Sequence, residues 1–185
     1  MTMGNRGPSI AVVRRTPDVQ VDALFDALVA RWRRAIRIAG VVAESHGLAG
    51  RACNAGFLRN LTTGERFSIF RELGSASESC HLNPDGVLAA TAAVQHDIAD
   101  GCDLAVLSKF GKLEAAGGGL IDALRAAVEA DIPVLTSVSR AFEQALIDDA
   151  GPTFRWVRAD LGEIEEWMEA HSKHRKKTRF DLTAS

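Results

Sequence analysis

Five cations stand where short apolar runs end. Arg14 and Arg15 follow Ser9–Val13, Lys109 and Lys112 follow Asp103–Leu107, and Arg140 follows Ile132–Val138. If those runs are parallel strands, their carboxyl ends share one edge, and open α/β sheets bind ligands at that edge. Lys and Arg there, beside helix N-termini that favour negative charge, make a metal-independent place for an anion. Gly111 and the run Gly117-Gly118-Gly119 add unshielded amides of the kind that curl around an oxyanion. The anion or nucleotide site read from these residue types is Arg14, Arg15, Lys109, Gly111, Lys112, Gly118, Gly119 and Arg140. Against it stands the ordinary fate of Lys and Arg, which is solvation at the surface. Glu114 is also placed to pair with a lysine, and Glu44 after the second apolar run weakens the field.

Two further features have a chemical reading and a structural one. Cys80 and His81 lie between a small-residue loop and a helix start, where a thiol of lowered pKa reacts or contacts metal. No general base is placed beside them by spacing, and a structural thiol is the favoured reading of Cys80. From His171 onward the chain carries five Lys or Arg against one Asp, a charge of +4, so residues 1–170 carry −6 of the total −2. That tail attracts nucleic acid or an acidic partner without sequence preference. It lacks interleaved aromatics apart from Phe180, so nucleic acid is not expected.

These residues need elements to hold them. Ser9–Val13 is rich in β-branched residues and reads as a buried strand. Thr16-Pro17-Asp18 offers a cap, a first-turn proline and a dipole-complementing acid, so a helix is expected from there through Val21, Phe25, Leu28 and Trp32. Ile36–Ala43 reads as a second strand. Phe57–Leu61 and Arg66–Phe70 flank Thr62-Thr63-Gly64-Glu65 and predict a β-hairpin. Gly74–Ser79 is a small-residue loop, and Asn83-Pro84-Asp85 starts a second helix that Gly101 ends. Asp103–Leu107 and Ile132–Val138 are buried strands around an amphipathic helix at Leu120–Val128. A short helix at Ala141–Asp148, a last strand at Phe154–Val157 and a capped helix from Asp160 complete the series.

Strands alternating with helices predict a three-layer α/β domain: a mostly parallel sheet with helices on both faces, plus an inserted β-hairpin. The 185 residues suit one domain, read as residues 9–171 between an N-terminal segment 1–8 and a basic tail 172–185. A chain of this length buries roughly 70% of its unfolded surface and needs no disulfide or metal staple. Three widely spaced cysteines, without a CxxC or zinc-type pattern, point to reduced thiols. No apolar run reaches bilayer length and no signal-peptide core opens the chain, so a cytoplasmic protein with no membrane partner is expected.

Two motifs carry a resemblance. Asp103-Leu-Ala-Val-Leu-Ser-Lys-Phe-Gly-Lys-Leu-Glu114 is similar to the second nucleotide-binding motif of the small P-loop nucleoside-triphosphatases of archaea and thermophilic bacteria. It more closely resembles an uncharacterised bacterial family, domain of unknown function 2478, which looks like a degenerate branch of that group. The hallmark Asn-Lys-Phe-Gly-Lys of that family stands here as Ser108-Lys109-Phe110-Gly111-Lys112. A second element, Cys-x-Leu-Asp-Pro, is matched by Cys80-His81-Leu82-Asn83-Pro84. The resemblance runs from Ile10 to about Trp167. It implies a P-loop-like fold and, because the family is met near genes for molybdenum handling, a role there.

The residues needed for hydrolysis are missing. A phosphate cradle requires a glycine-rich turn followed by Lys and a hydroxyl, whereas Val13 leads into Arg14-Arg15-Thr16-Pro17-Asp18. Ser108 and Lys109 replace the acids that would hold Mg²⁺ and orient water, so Walker A is absent, Walker B is altered and Mg²⁺ is not expected. The leading expectation is a non-hydrolytic protein that binds a small anion, such as a nucleotide, phosphate or molybdate, with no catalytic residue and no metal. A residual triphosphatase or phosphotransferase, and a ligand-free protein-interaction module, stand as alternatives. A homo-oligomer or a protein partner is left open.

Overall fold

A computed structural model of the chain describes residues 9–47, 55–71, 81–151 and 154–182. The expected N-terminal segment 1–8, the loop Gly74–Ser79 and Cys80 lie outside those residues, as does the side chain of His81. The strands are β1 (Ile10–Arg15), β2 (Ile38–Ser45), β3 (Ala55–Asn60), β4 (Arg66–Ser68), β5 (Phe70–Arg71), β6 (His81–Leu82), β7 (Leu104–Phe110), β8 (Val134–Ser139) and β9 (Phe154–Val157). The helices are α1 (Val21–Trp32), α2 (Pro84–Ala99), α3 (Lys112–Ala115), α4 (Ile121–Glu129), α5 (Glu143–Ala150) and α6 (Leu161–Leu182).

Seven strands form one sheet in the order β4-β3-β2-β7-β8-β1-β9, and β5 and β6 pair separately. Strands β2, β7, β8, β1 and β9 are mutually parallel, while β3 and β4 add antiparallel at the β2 edge. The expected hairpin therefore extends the main sheet. The small β5–β6 pair was not anticipated.

The strands read as nearly unbroken apolar runs because both faces are covered. Alternation sorts them: Ile10 and Val12 of β1 join one core with Val94 of α2, Ile121 of α4 and Leu146 of α5. Ala11 and Val13 join the other, with Phe25 and Leu28 of α1 and Ile164 and Trp167 of α6. This is the three-layer arrangement expected from the alternating elements.

Several boundaries differ from the sequence reading for identifiable reasons. Helix α1 starts at Val21, with Gln20 rather than Thr16 in the cap position. Thr16–Val19 closes a turn, the Val19 amide donating to the Thr16 carbonyl at 3.1 Å, and Val21 is the first residue that the core buries. Strand β7 runs on through Ser108, Lys109 and Phe110, with a register shift against β8 between Leu107 and Phe110. Phe110 is an apolar core residue, so burial carries the strand past Leu107. Helix α6 runs from Leu161 to Leu182.

Gly40 shows how closely the central strands approach. It adopts φ +124° inside β2, and a β-carbon there would sit 1.9 Å from the Val106 carbonyl oxygen of β7. Any side chain would have to push two hydrogen-bonded strands apart while holding a conformation that L-residues avoid. Gly40→Ala is expected to lower unfolding stability by on the order of 3 kcal/mol, the range of severe backbone and packing lesions. A urea melt checks it, and a loss below about 1 kcal/mol would mean that the strands separate easily.

Candidate functional site

Connections from β1 and from its neighbour β8 leave toward opposite faces of the sheet, β1 to α1 and β8 to α5. Their carboxyl ends therefore border the kind of crevice in which α/β sheets bind ligands. Three polar side chains meet there from three adjacent strands: Arg15 of β1, Ser137 of β8 and Ser108 of β7. A fourth, Asp22, comes from the first turn of α1.

These four form one network. Arg15 grips Asp22 through both nitrogens, Nη1 to Oδ1 at 3.1 Å and Nη2 to Oδ2 at 2.5 Å. The Ser108 hydroxyl donates to Asp22 Oδ1 at 3.0 Å. Ser137 Oγ accepts from Arg15 Nη1 at 3.1 Å and donates to the Ser108 carbonyl at 2.6 Å. Both serines are fully buried, whereas the Arg15 and Asp22 side chains keep 26% and 31% of their exposure. Buried hydroxyls need partners, and here each has one.

The arrangement does not suit a divalent ion. Asp22 is the one carboxylate in the network, and a guanidinium already occupies both of its oxygens, so a cation brought there would face Arg15 at contact distance. The turn ahead of α1 carries a further acid, Asp18, outside this network. The Thr16 hydroxyl and a backbone amide hold the Asp18 carboxyl below its usual pKa, so it stays charged.

Arg14 goes elsewhere. As the next residue along β1 it faces the opposite side of the sheet. Its Nε pairs with Glu143 of α5 at 3.1 Å, and its guanidinium lies 3.8 Å from the centre of the Trp156 ring on β9. The two arginines that sequence spacing places in one cluster are thus separated by the sheet and neutralised by different acids.

Lys109, Lys112 and Arg140 are exposed, and none of their side chains carries a hydrogen bond or ion pair among the described residues. Glu114 does not pair with either lysine. It folds back on its own loop, accepting from the Gly111 amide at 3.0 Å and the Leu120 amide at 2.9 Å. The Gly118 amide donates to the Leu113 carbonyl at 2.9 Å. Gly119 holds φ +60°, where a β-carbon would press on Glu114 Oε1 at 2.2 Å. The amides of Gly111 and Gly118 expected to face an anion are consumed inside the loop. The crevice between Lys109, Phe110, Glu114 and Leu120 is too narrow to admit water. A roomier cavity of about 220 Å³ lies at the opposite, amino end of the strands, beside Arg33, Leu61, Asp97 and Cys102.

Asp22, Ser137, Glu143 and Trp156 were missed from sequence. Ser137 did leave a signal, since Thr136-Ser137 interrupts an otherwise apolar strand. The Glu114 clamp is testable. Glu114→Ala should cost about 2–3 kcal/mol, the scale of a lost charge-assisted pair of backbone bonds, with Glu114→Gln intermediate. Hydrogen exchange at Gly111 and Leu120 should accelerate selectively, and unchanged protection at both would rule the clamp out.

The comparisons with known proteins agree with this frame. The model of the family described as "Protein of unknown function (DUF2478)" matches residues 10–167. The chain is also 34% identical over 176 residues to the Molybdenum import ATP-binding protein ModC 2 of Bradyrhizobium diazoefficiens. That match takes in 95% of this chain and 20% of the relative, so the chain spans about a fifth of that protein's length. No solved structure matches. The parallel sheet, its two helical layers and an ATP-binding relative together make this a P-loop NTPase-like α/β fold, and the chain belongs to the DUF2478 family.

Proposed function

We propose that this chain is a non-hydrolytic accessory protein of molybdenum handling that takes a small oxyanion or a nucleotide phosphate at the carboxyl edge of its sheet. The observation that carries the non-hydrolytic part is the Arg15–Asp22 pair, joined by Ser108 and Ser137. The guanidinium occupies both oxygens of the network's one carboxylate, which leaves it unavailable to hold a divalent ion or orient water. The molybdenum part is supported by the relative, which is named as a molybdenum import ATP-binding protein. On this reading the chain works in the cytoplasm beside such a protein and does not replace its ATP-binding function.

The ligand part is supported by Lys109, Lys112 and Arg140, whose charges are not neutralised among the described residues. Exposed cations of this kind draw an anion to the rim even where no deep cavity receives it. A protein-interaction role is favoured by a different observation, the closed crevice beside Lys109 and Phe110.

Thermal unfolding in the presence of molybdate, tungstate, phosphate, sulfate, ADP and ATP separates the two readings. A ligand at a hundred times its dissociation constant stabilises the folded state by about 2.7 kcal/mol, several degrees for a chain of this size. The expected result is stabilisation by at least one anion, independent of Mg²⁺ and weakened in Lys109→Ala. No shift with any of them would favour the interaction module. Mg²⁺-dependent phosphate release from ATP that disappears in Lys109→Ala would overturn the non-hydrolytic assignment.

A further inference from the structure

The network at the head of β1 has more donors than a structural ion pair needs. Arg15 Nη1, Arg15 Nη2 and the Ser108 hydroxyl converge on the two oxygens of a single carboxylate. A planar guanidinium fork with a hydroxyl beside it matches one face of a tetrahedral oxyanion as well as it matches a carboxylate. We propose that Asp22 is a tethered stand-in for a tetrahedral oxyanion, and that Arg15, Ser108 and Ser137 form a prebuilt cradle that Asp22 keeps filled.

Three observations carry this inference. The cradle is held without Asp22, because Arg15 is fixed by Ser137 Oγ and Ser137 is fixed by the Ser108 carbonyl of the neighbouring strand. Arg15 would therefore keep its place when the carboxylate leaves, and Ser108 stays fixed on its buried strand. The pair is reachable, with 26% and 31% of its two side chains exposed, so an ion can approach without opening the core. Asp22 also stands only seven residues from Arg15, on the first turn of a helix whose N-terminus favours negative charge from any source.

A tethered carboxylate competes as an intramolecular ligand, at an effective concentration of about millimolar or above. Free oxyanion must exceed that to enter the native protein, which masks the cradle at low concentration. The inference rests on the proposed anion-binding role but concerns a separate spot from the rim cations Lys109, Lys112 and Arg140.

The experiment compares native protein, Asp22→Ala and Asp22→Asn by calorimetric titration with molybdate, phosphate, sulfate and ADP, each variant first checked for a cooperative melt. Asp22→Asn keeps the volume and an acceptor for Ser108, and it carries the test should the alanine variant not fold. The expected result is oxyanion binding at least about tenfold tighter than native in the Asp22 variants, equivalent to about 1.4 kcal/mol. That binding should be lost when Arg15→Gln is added and retained when Lys109→Ala is added. Preference for the inorganic ions assigns the cradle to a free oxyanion, and preference for ADP assigns it to a nucleotide phosphate. Equal affinity in native and Asp22 variants, no binding in either variant, or binding that survives Arg15→Gln would each overturn the proposal. Loss with Lys109→Ala instead of Arg15→Gln would overturn it while leaving the rim site of the proposed function intact.

Discussion

Successive residues of a strand must face opposite sides of a sheet, and a parallel sheet covered by helices on both sides has no solvent face to absorb an error. That constraint sorts β1 into two apolar sets and then acts on the arginines that end it. Arg14 is carried to the α5 side, against Glu143 and Trp156, and Arg15 to the α1 side, against Asp22. Charges adjacent in the chain become remote in chemistry. The positive edge is thereby divided, and each half acquires its own acid.

Acids satisfy converging donors at two places on this edge. Asp22 accepts from a guanidinium and a serine hydroxyl, and Glu114 accepts from the amides of Gly111 and Leu120. The two arrangements differ in kind. Glu114 is part of its loop, with Gly119 shaped around its carboxylate, and its loss would undo the turn that positions α4. Asp22 sits opposite a guanidinium that buried Ser137 also bonds from the strand side, and Ser137 in turn bonds the Ser108 carbonyl.

The chain belongs to the DUF2478 family, and its match spans about a fifth of a molybdenum import ATP-binding protein. In the network at this edge the hydroxyl of Ser108 stands on the strand and the acid Asp22 on the helix, 3.0 Å apart, and the Arg15 guanidinium bonds the same carboxylate.

Most of the architecture was legible in the residues. Runs such as Ala11–Val13 and Leu104–Leu107 have no polar face and must be buried on both sides, and Asn83-Pro84 marks the start of α2 because proline suits a first helical turn. The missing glycine-rich turn, the cations at strand ends and the family likeness could also be read directly. The partners of those cations could not. Asp22 drew no reading at all, Glu114 was a candidate partner for lysine, and Ser137 was part of a strand. Which acid meets which cation depends on strand order, on the face to which alternation sends each side chain and on where a helix begins, here five residues past Thr16. Local propensity determines elements; charges separated along the chain find one another only once packing has set the distances between those elements.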